Sequence, residues 1–247
     1  MINNRDLASC YLRLINDIDV SYLDRSHPNT KCGNNMLSGM FLPSIPDGYE
    51  QSRNKIMIIG RETRAWNVLK PDEKLINLES YIDKAITTHK NHSYKELNKK
   101  EESRGQSYFK FVRKVKMKSG ESGLIHANLF CFSWKKRSPL GCPHEEVVKR
   151  YSERLLKFQI EYFKPDIIIF AHGSAGIKFR HQLFPYQGEN NVCIEPIQLI
   201  PHPHLRSHFW EFDLYGKYKS YRVPHPSGLG NSTRQAHDYL ISILPQR

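Results

Sequence analysis

The chain is 247 residues long and carries 37 Lys and Arg against 25 Asp and Glu, a formal net charge of +12 at pH 7, with 39% hydrophobic residues. That composition is globular rather than disordered, and the length suits one large α/β domain or two small ones. The longest apolar run, residues 167–171, falls far short of the roughly 20 residues that a membrane-crossing helix needs, and the first residues lack the apolar core of a signal peptide, so a cytoplasmic chain with no membrane partner is expected.

Residues 6–24 carry apolar side chains at three- and four-residue spacing, which predicts an amphipathic helix. Residues 27–49, rich in Asn, Gly and Pro, follow as a loop. These first fifty residues add nothing to the positive charge: Arg5, Arg13, Arg25 and Lys31 are set against Asp6, Asp17, Asp19, Asp24, Asp47 and Glu50. A short β-branched run over 55–61 reads as a buried strand feeding a turn at Gly60. Residues 72–100 read as a helix of rising charge, 109–115 begin a further element, and 119–123 (SGESG) form a turn. A second buried strand is expected over 123–135. A long amphipathic helix over 144–164, stopped by Pro165, leads to a third strand over 165–174. A fourth strand over 193–200, an aromatic hairpin over 210–221 and a helix over 232–244, capped by Asn231 or Ser232, close the chain.

Buried strands alternating with helices imply a central, mainly parallel β-sheet flanked by helices on both faces, a three-layer α/β/α architecture. The domain reading is an N-terminal helical extension over 1–50 packed on a main domain over 51–247, with a basic insertion near 85–118. The excess positive charge gathers in residues 90–118 and again from Lys135 onward. Such a field favours a polyanion, most simply nucleic acid, and a solvated basic surface is the plain alternative. The five cysteines, Cys10, Cys32, Cys131, Cys142 and Cys193, include no C-x-x-C pair. Buried reduced thiols are therefore expected rather than a zinc or iron–sulfur centre.

In a parallel sheet, ligands bind beyond the carboxyl ends of the strands. That rule selects four segments: residues 60–67 (GRETRAWN), the region of Asn128, residues 171–176 (AHGSAG) and residues 223–233 (VPHPSGLGNST). Glu62 can orient a water or stabilise positive charge developing on a sugar, or it can simply pair with Arg61 or Arg64. Asn128 offers a donor and an acceptor, the pair that reads a nucleobase edge, unless it is a buried structural amide. His225 is held between Pro224 and Pro226, so it can keep a hydrogen bond aimed at a developing anion. Ser227 and the amides of Gly228 and Gly230 can grip phosphates, and Leu229 can enter the space left by an extruded base. The plainer alternative is a tight turn with Leu229 stapled to the last helix.

Together these segments resemble the uracil-DNA glycosylase superfamily. Its first motif reads G-Q-D-P-Y, and the corresponding positions here are Gly60-Arg61-Glu62-Thr63-Arg64. Its late motif reads H-P-S-P-L, which His225-Pro226-Ser227-Gly228-Leu229 matches at four of five positions. Residues 107–112 (SYFKFV) are similar to the aromatic N-R-F-W stretch of mismatch-specific relatives. The resemblance implies a uracil-DNA glycosylase-like fold and a DNA N-glycosylase with no metal and no other cofactor, and since no lysine is placed in a way that demands lyase chemistry, a monofunctional enzyme is expected. DNA is the implied partner, with one nucleotide flipped out, and a monomer without an obligate protein partner is expected. Glu62 takes the place of the water-activating acid and Asn128 that of the base-reading asparagine, while His225 faces the departing base. Trp66 or Tyr108 would stack on the base, either being otherwise core, and Ser227, Gly228, Leu229 and Gly230 would contact DNA.

Two departures from the family pattern bear on the substrate. Thr63 replaces the proline, and Glu62 is one methylene longer than the usual aspartate. Arg64 stands where uracil-specific members place a tyrosine that packs against C5 of the pyrimidine; arginine removes that steric gate and supplies donors. The expectation is a pocket that accepts a polar C5 substituent, as in the hydroxymethylated or glucosylated cytosine of some phage DNA, which would place the enzyme in defence. Uracil is the competing base. Two rival readings stand beside this one. A non-catalytic nucleic-acid-binding module of the same fold is favoured by the Glu62 substitution. A metal-dependent hydrolase would use His202, His204 and His208, although prolines interrupt that cluster and no carboxylate lies within it.

Overall fold

The computed structural model describes residues 2–26, 31–32, 36–100, 106–194, 205 and 207–247. The chain divides into two compact units, each assembled from separate stretches. The first comprises Met1–Ile45, Arg61–Tyr94 and Ala127–Phe163, and the second Pro46–Gly60, Lys95–His126 and Lys164–Arg247.

Among the described residues, six strands form one sheet: β1 (Ile56–Gly60), β2 (Leu124–Asn128), β3 (Ile167–Phe170), β4 (Cys193–Ile194), β5 (Trp210–Leu214) and β6 (Tyr218–Arg222), in the order β2-β1-β3-β6-β5-β4. β3 pairs in parallel with β1 and β6, with Ile169 opposite both Ile58 and Tyr221. β5 runs antiparallel to β6 and β4. The described helices are α1 (Asn4–Ile15), α2 (Leu78–Leu97), α3 (Ser107–Ser119), α4 (Glu145–Phe163), α5 (Ile177–Leu183) and α6 (Asn231–Ile243). The architecture is thus α/β, with a mostly parallel sheet and flanking helices.

Every residue of β1, β2 and β3 is buried, which is why these strands read as unbroken apolar runs instead of alternating patterns. The β5–β6 hairpin turns through Tyr215 and Gly216, whose φ angles of 58° and 62° match the right-handed twist of the flanking strands. In the second unit, Ile56, Ile58, Leu124, Ile167, Ile169 and Tyr221 on one face of the sheet pack with Phe111, Val112 and Val115 of α3 and with Ala236 and Leu240 of α6. On the other face, Phe170 meets Phe212 at 5.8 Å and Phe184 at 5.9 Å, and the buried guanidinium of Arg180 on α5 lies over the Phe170 and Phe212 rings. In the first unit, α1 buries Leu7, Tyr11 and Ile15 at turn spacing and packs on α4, with Tyr11 edge-on to Phe158 at 5.8 Å.

Several boundaries differ from those the sequence suggested. The first helix stops at Ile15, and Asp19, which accepts a hydrogen bond from the Ser21 amide, caps a separate 3₁₀ turn, Val20–Tyr22. α2 begins only at Leu78, where the Asn77 side chain accepts from the Ser80 amide at 2.8 Å. The strand expected over 123–135 ends at Asn128, and α6 takes Gly230 as its cap, with no side-chain capping bond from Asn231 or Ser232. The sequence pattern does not indicate α5, because seven residues without a capping side chain leave little periodic signal. Of the fourth strand, Cys193–Ile194 is described, and 195–200 lies outside the described residues. None of the described helices is long and apolar enough to cross a membrane.

Candidate functional site

The second unit builds the loop that carries His225. β6 runs out through Val223, whose amide donates to the Phe170 carbonyl at 3.0 Å and extends the pairing with β3. The next carbonyl, Pro224, accepts from Nε2 of the buried His237 on α6 at 2.9 Å. The His225 carbonyl accepts from the Gly228 amide at 2.7 Å, closing a tight turn. Opposite lies Gly173, with φ +71°, where an added Cβ would come within 2.8 Å of the His225 Cβ. Only glycine combines that backbone angle with that approach. The Tyr108 ring, on α3, stacks on the imidazole with centroids 6.5 Å apart and planes 26° apart. Burial pushes the Tyr108 phenol well above its ordinary pKa, so it stays protonated.

The hydrogen bonds fix which ring nitrogen of His225 carries the proton. The Ser227 amide donates to Nδ1 at 3.1 Å, and the Ser227 hydroxyl lies 2.7 Å from the same nitrogen. An amide N–H can only donate, so Nδ1 must accept and the neutral ring holds its proton on Nε2. Past this turn the chain is exposed from Ser227 to Gly230, and Leu229 is 98% exposed. Of the two glycine amides proposed for phosphate, that of Gly228 is already spent on the His225 carbonyl. Leu229 is not stapled to α6.

The first unit holds the other candidates. The segment after β1 runs beside the segment after β2, since the Arg61 carbonyl accepts from the Phe130 amide at 2.9 Å. Glu62 and Arg61 form a two-point ion pair, Nη2 to Oε1 at 2.8 Å and Nε to Oε2, and the Glu62 side chain is 2% exposed. Asn128 is buried and bonds to Thr63: its Oδ1 accepts from the Thr63 hydroxyl and, at 3.2 Å, from the Thr63 amide, while its Nδ2 donates to the Ala127 carbonyl at 3.0 Å. Arg64 is exposed. Trp66 is a core residue: it is 5% exposed, its Nε1 donates to the Met40 carbonyl at 3.2 Å, and its ring meets Phe41 and His92 edge-on.

Within the second unit, then, His225 is brought together with Tyr108 and Ser227, and within the first, Asn128 with Thr63 and Glu62 with Arg61. Residue-by-residue reading missed Gly173, His237 and Thr63. Gly173 lies in the 171–176 segment, but its contact with His225 spans 52 residues of chain. Thr63 registered only as a lost proline, although a gained amide donor was the readable signal. His208 pairs with the Ser207 hydroxyl at 2.8 Å, and His202 and His204 lie outside the described residues. Among the described residues, no group of three or more His, Cys, Asp or Glu side chains is placed to hold a metal ion.

Comparison of the sequence with protein-family profiles and with curated proteins gives no significant match.

Proposed function

We propose that the chain is a DNA N-glycosylase of uracil-DNA glycosylase-like fold that flips a modified or damaged pyrimidine, a C5-modified cytosine or uracil, out of DNA and hydrolyses its N-glycosidic bond, leaving an abasic site. The observation that carries this reading is the pairing of an anchored His225 with a Leu229 that is 98% exposed four residues later. A lone exposed leucine is ordinary. One set at the tip of a loop whose root is tied to β3, α6 and Gly173 is suited to enter a base stack, where an apolar wedge offsets lost stacking.

The chemistry follows from the side chains. As the bond from C1′ to the base breaks, its electron pair leaves with the base, and the sugar becomes cationic. The Nε2–H of His225 donates toward the anionic base, which later takes up a proton. The Glu62 carboxylate, paired with Arg61, offsets the sugar's charge and orients the water that adds hydroxide to C1′. Asn128 reads the base edge, and the long, exposed Arg64 suits a polar group on C5.

One observation favours a second reading. Glu62 is already neutralised by Arg61 and almost fully buried, as in a module that binds nucleic acid without cutting the glycosidic bond. Base release separates the two. Duplexes containing uracil, cytosine or glucosylated hydroxymethylcytosine are incubated with the protein in EDTA, then scored for abasic sites and for the freed base by mass. Release of the modified base is expected. Binding to all three without release would leave the module.

A further inference from the structure

We propose that Thr63 fixes which edge of a pyrimidine Asn128 can read, and that the base so selected is of cytosine type rather than uracil type; this rests on the glycosylase reading above. The argument starts from the two backbone groups that hold the Asn128 amide. The Thr63 N–H can only donate and the Ala127 carbonyl can only accept, so Oδ1 must face Thr63 and Nδ2 must face Ala127. An amide oxygen has two lone pairs. Both are taken, one by the Thr63 hydroxyl and one by the Thr63 amide at 3.2 Å. An amide nitrogen has two hydrogens. One goes to the Ala127 carbonyl at 3.0 Å, which leaves one N–H for a ligand.

Asn128 therefore presents a donor and no acceptor. A cytosine ring has a lone pair at N3 and accepts that N–H. A uracil ring has an N–H at the same position. Its O4 could take the Asn128 hydrogen, but its own N3–H would then face a filled oxygen and lose its partner on leaving water. Sites that hydrogen-bond one pattern reject its opposite for this reason. Thr63 supplies both bonds that fill the oxygen, one of them from a backbone amide that a proline at this position would not have. Thr63 is thus a positioning residue: it acts on the base through Asn128. This selection at N3 is separate from whatever Arg64 does at C5.

The test uses the full-length protein and two single-stranded oligonucleotides that differ only at the base edge, one with 5-hydroxymethylcytosine and one with 5-hydroxymethyluracil. Single strands remove any difference in base pairing. Wild type should release the cytosine-type base at least roughly tenfold faster, the worth of about one hydrogen bond to a reading group. Thr63→Val keeps the side-chain shape but returns one lone pair to Asn128, so the ratio should narrow by roughly tenfold, and Thr63→Ser should restore it. General damage to the fold lowers both rates and leaves their ratio alone. An unchanged ratio in Thr63→Val would overturn the part given to Thr63. Release of 5-hydroxymethyluracil as fast as its counterpart by wild type would overturn the choice of base while leaving the glycosylase standing. No release from either strand, or from their glucosylated forms, would overturn both.

Discussion

Leu229 and His225 sit four residues apart, and opposite physical demands act on them. His225 is fixed by the turn to Gly228 and by Ser227 at its Nδ1, whereas Leu229 is almost wholly in water. Burial is what makes a leucine stabilising, so Leu229→Ala should leave the thermal midpoint unchanged within error. Excision from duplex DNA should nonetheless fall by roughly tenfold or more, and a single-stranded substrate, which has no stack to hold open, should be affected less. Equal losses on both substrates would remove the wedge from the account. This part of the molecule was legible in the sequence, because prolines and glycines declare local geometry without help from the rest of the chain. The state of Asn128 was not legible. Which atoms of an amide remain available depends on Thr63, 65 positions away, and no spacing rule reports that.

The ends of β3 and β6 set the His225 loop in place, and two residues after β3 show how tightly. Gly173→Ala would combine a φ of +71° with a Cβ 2.8 Å from that of His225. A loss of roughly 1–3 kcal/mol in denaturant unfolding is expected, together with a larger fall in base release than stability explains. His172 is fully buried, and burial, with the nearby charges of Arg180 and Arg222, pushes its pKa down to about 3. The folded state therefore keeps it neutral while the unfolded chain protonates it below its ordinary value near 6.5. Its contribution to stability is complete above about pH 6.5 and is lost progressively as pH falls toward 3. Between pH 7 and 5 that amounts to about 2 kcal/mol. His172→Gln should lose correspondingly less than wild type over that interval in urea titrations, and a wild type no more sensitive than the variant would contradict the assignment. The strands themselves were readable as apolar runs. Their ends were not: a strand stops where its neighbour stops, and α5 is too short to carry a period of its own.

Across the whole molecule, positive charge is the feature the sequence states most directly, and its distribution needs the fold. Part of the basic stretch is committed internally: Lys116 bonds to Asn98 at 2.8 Å and pairs with Glu121 at 2.7 Å, and Lys114 pairs with Asp238 at 3.2 Å. α3, which carries these lysines, also supplies Phe111, Val112 and Val115 to the core of the second unit. Affinity for unmodified DNA should still weaken steeply with salt. Neutralising about four phosphates gives roughly a hundredfold loss between 50 and 200 mM salt, measurable by fluorescence anisotropy, and a flat response would remove DNA as the partner.

In the proposed reaction, Glu62 offsets charge on the sugar and His225 stabilises the departing base. The most direct measurement is single-turnover release of base from DNA containing glucosylated hydroxymethylcytosine, in EDTA, by wild type, Glu62→Gln and His225→Ala, with DNA binding recorded for each. Wild type should release the base, and each variant should lose roughly two to three decades in rate at unchanged affinity. Release that survives both substitutions, or a wild type that binds this DNA and frees no base from it, would contradict the proposed reaction.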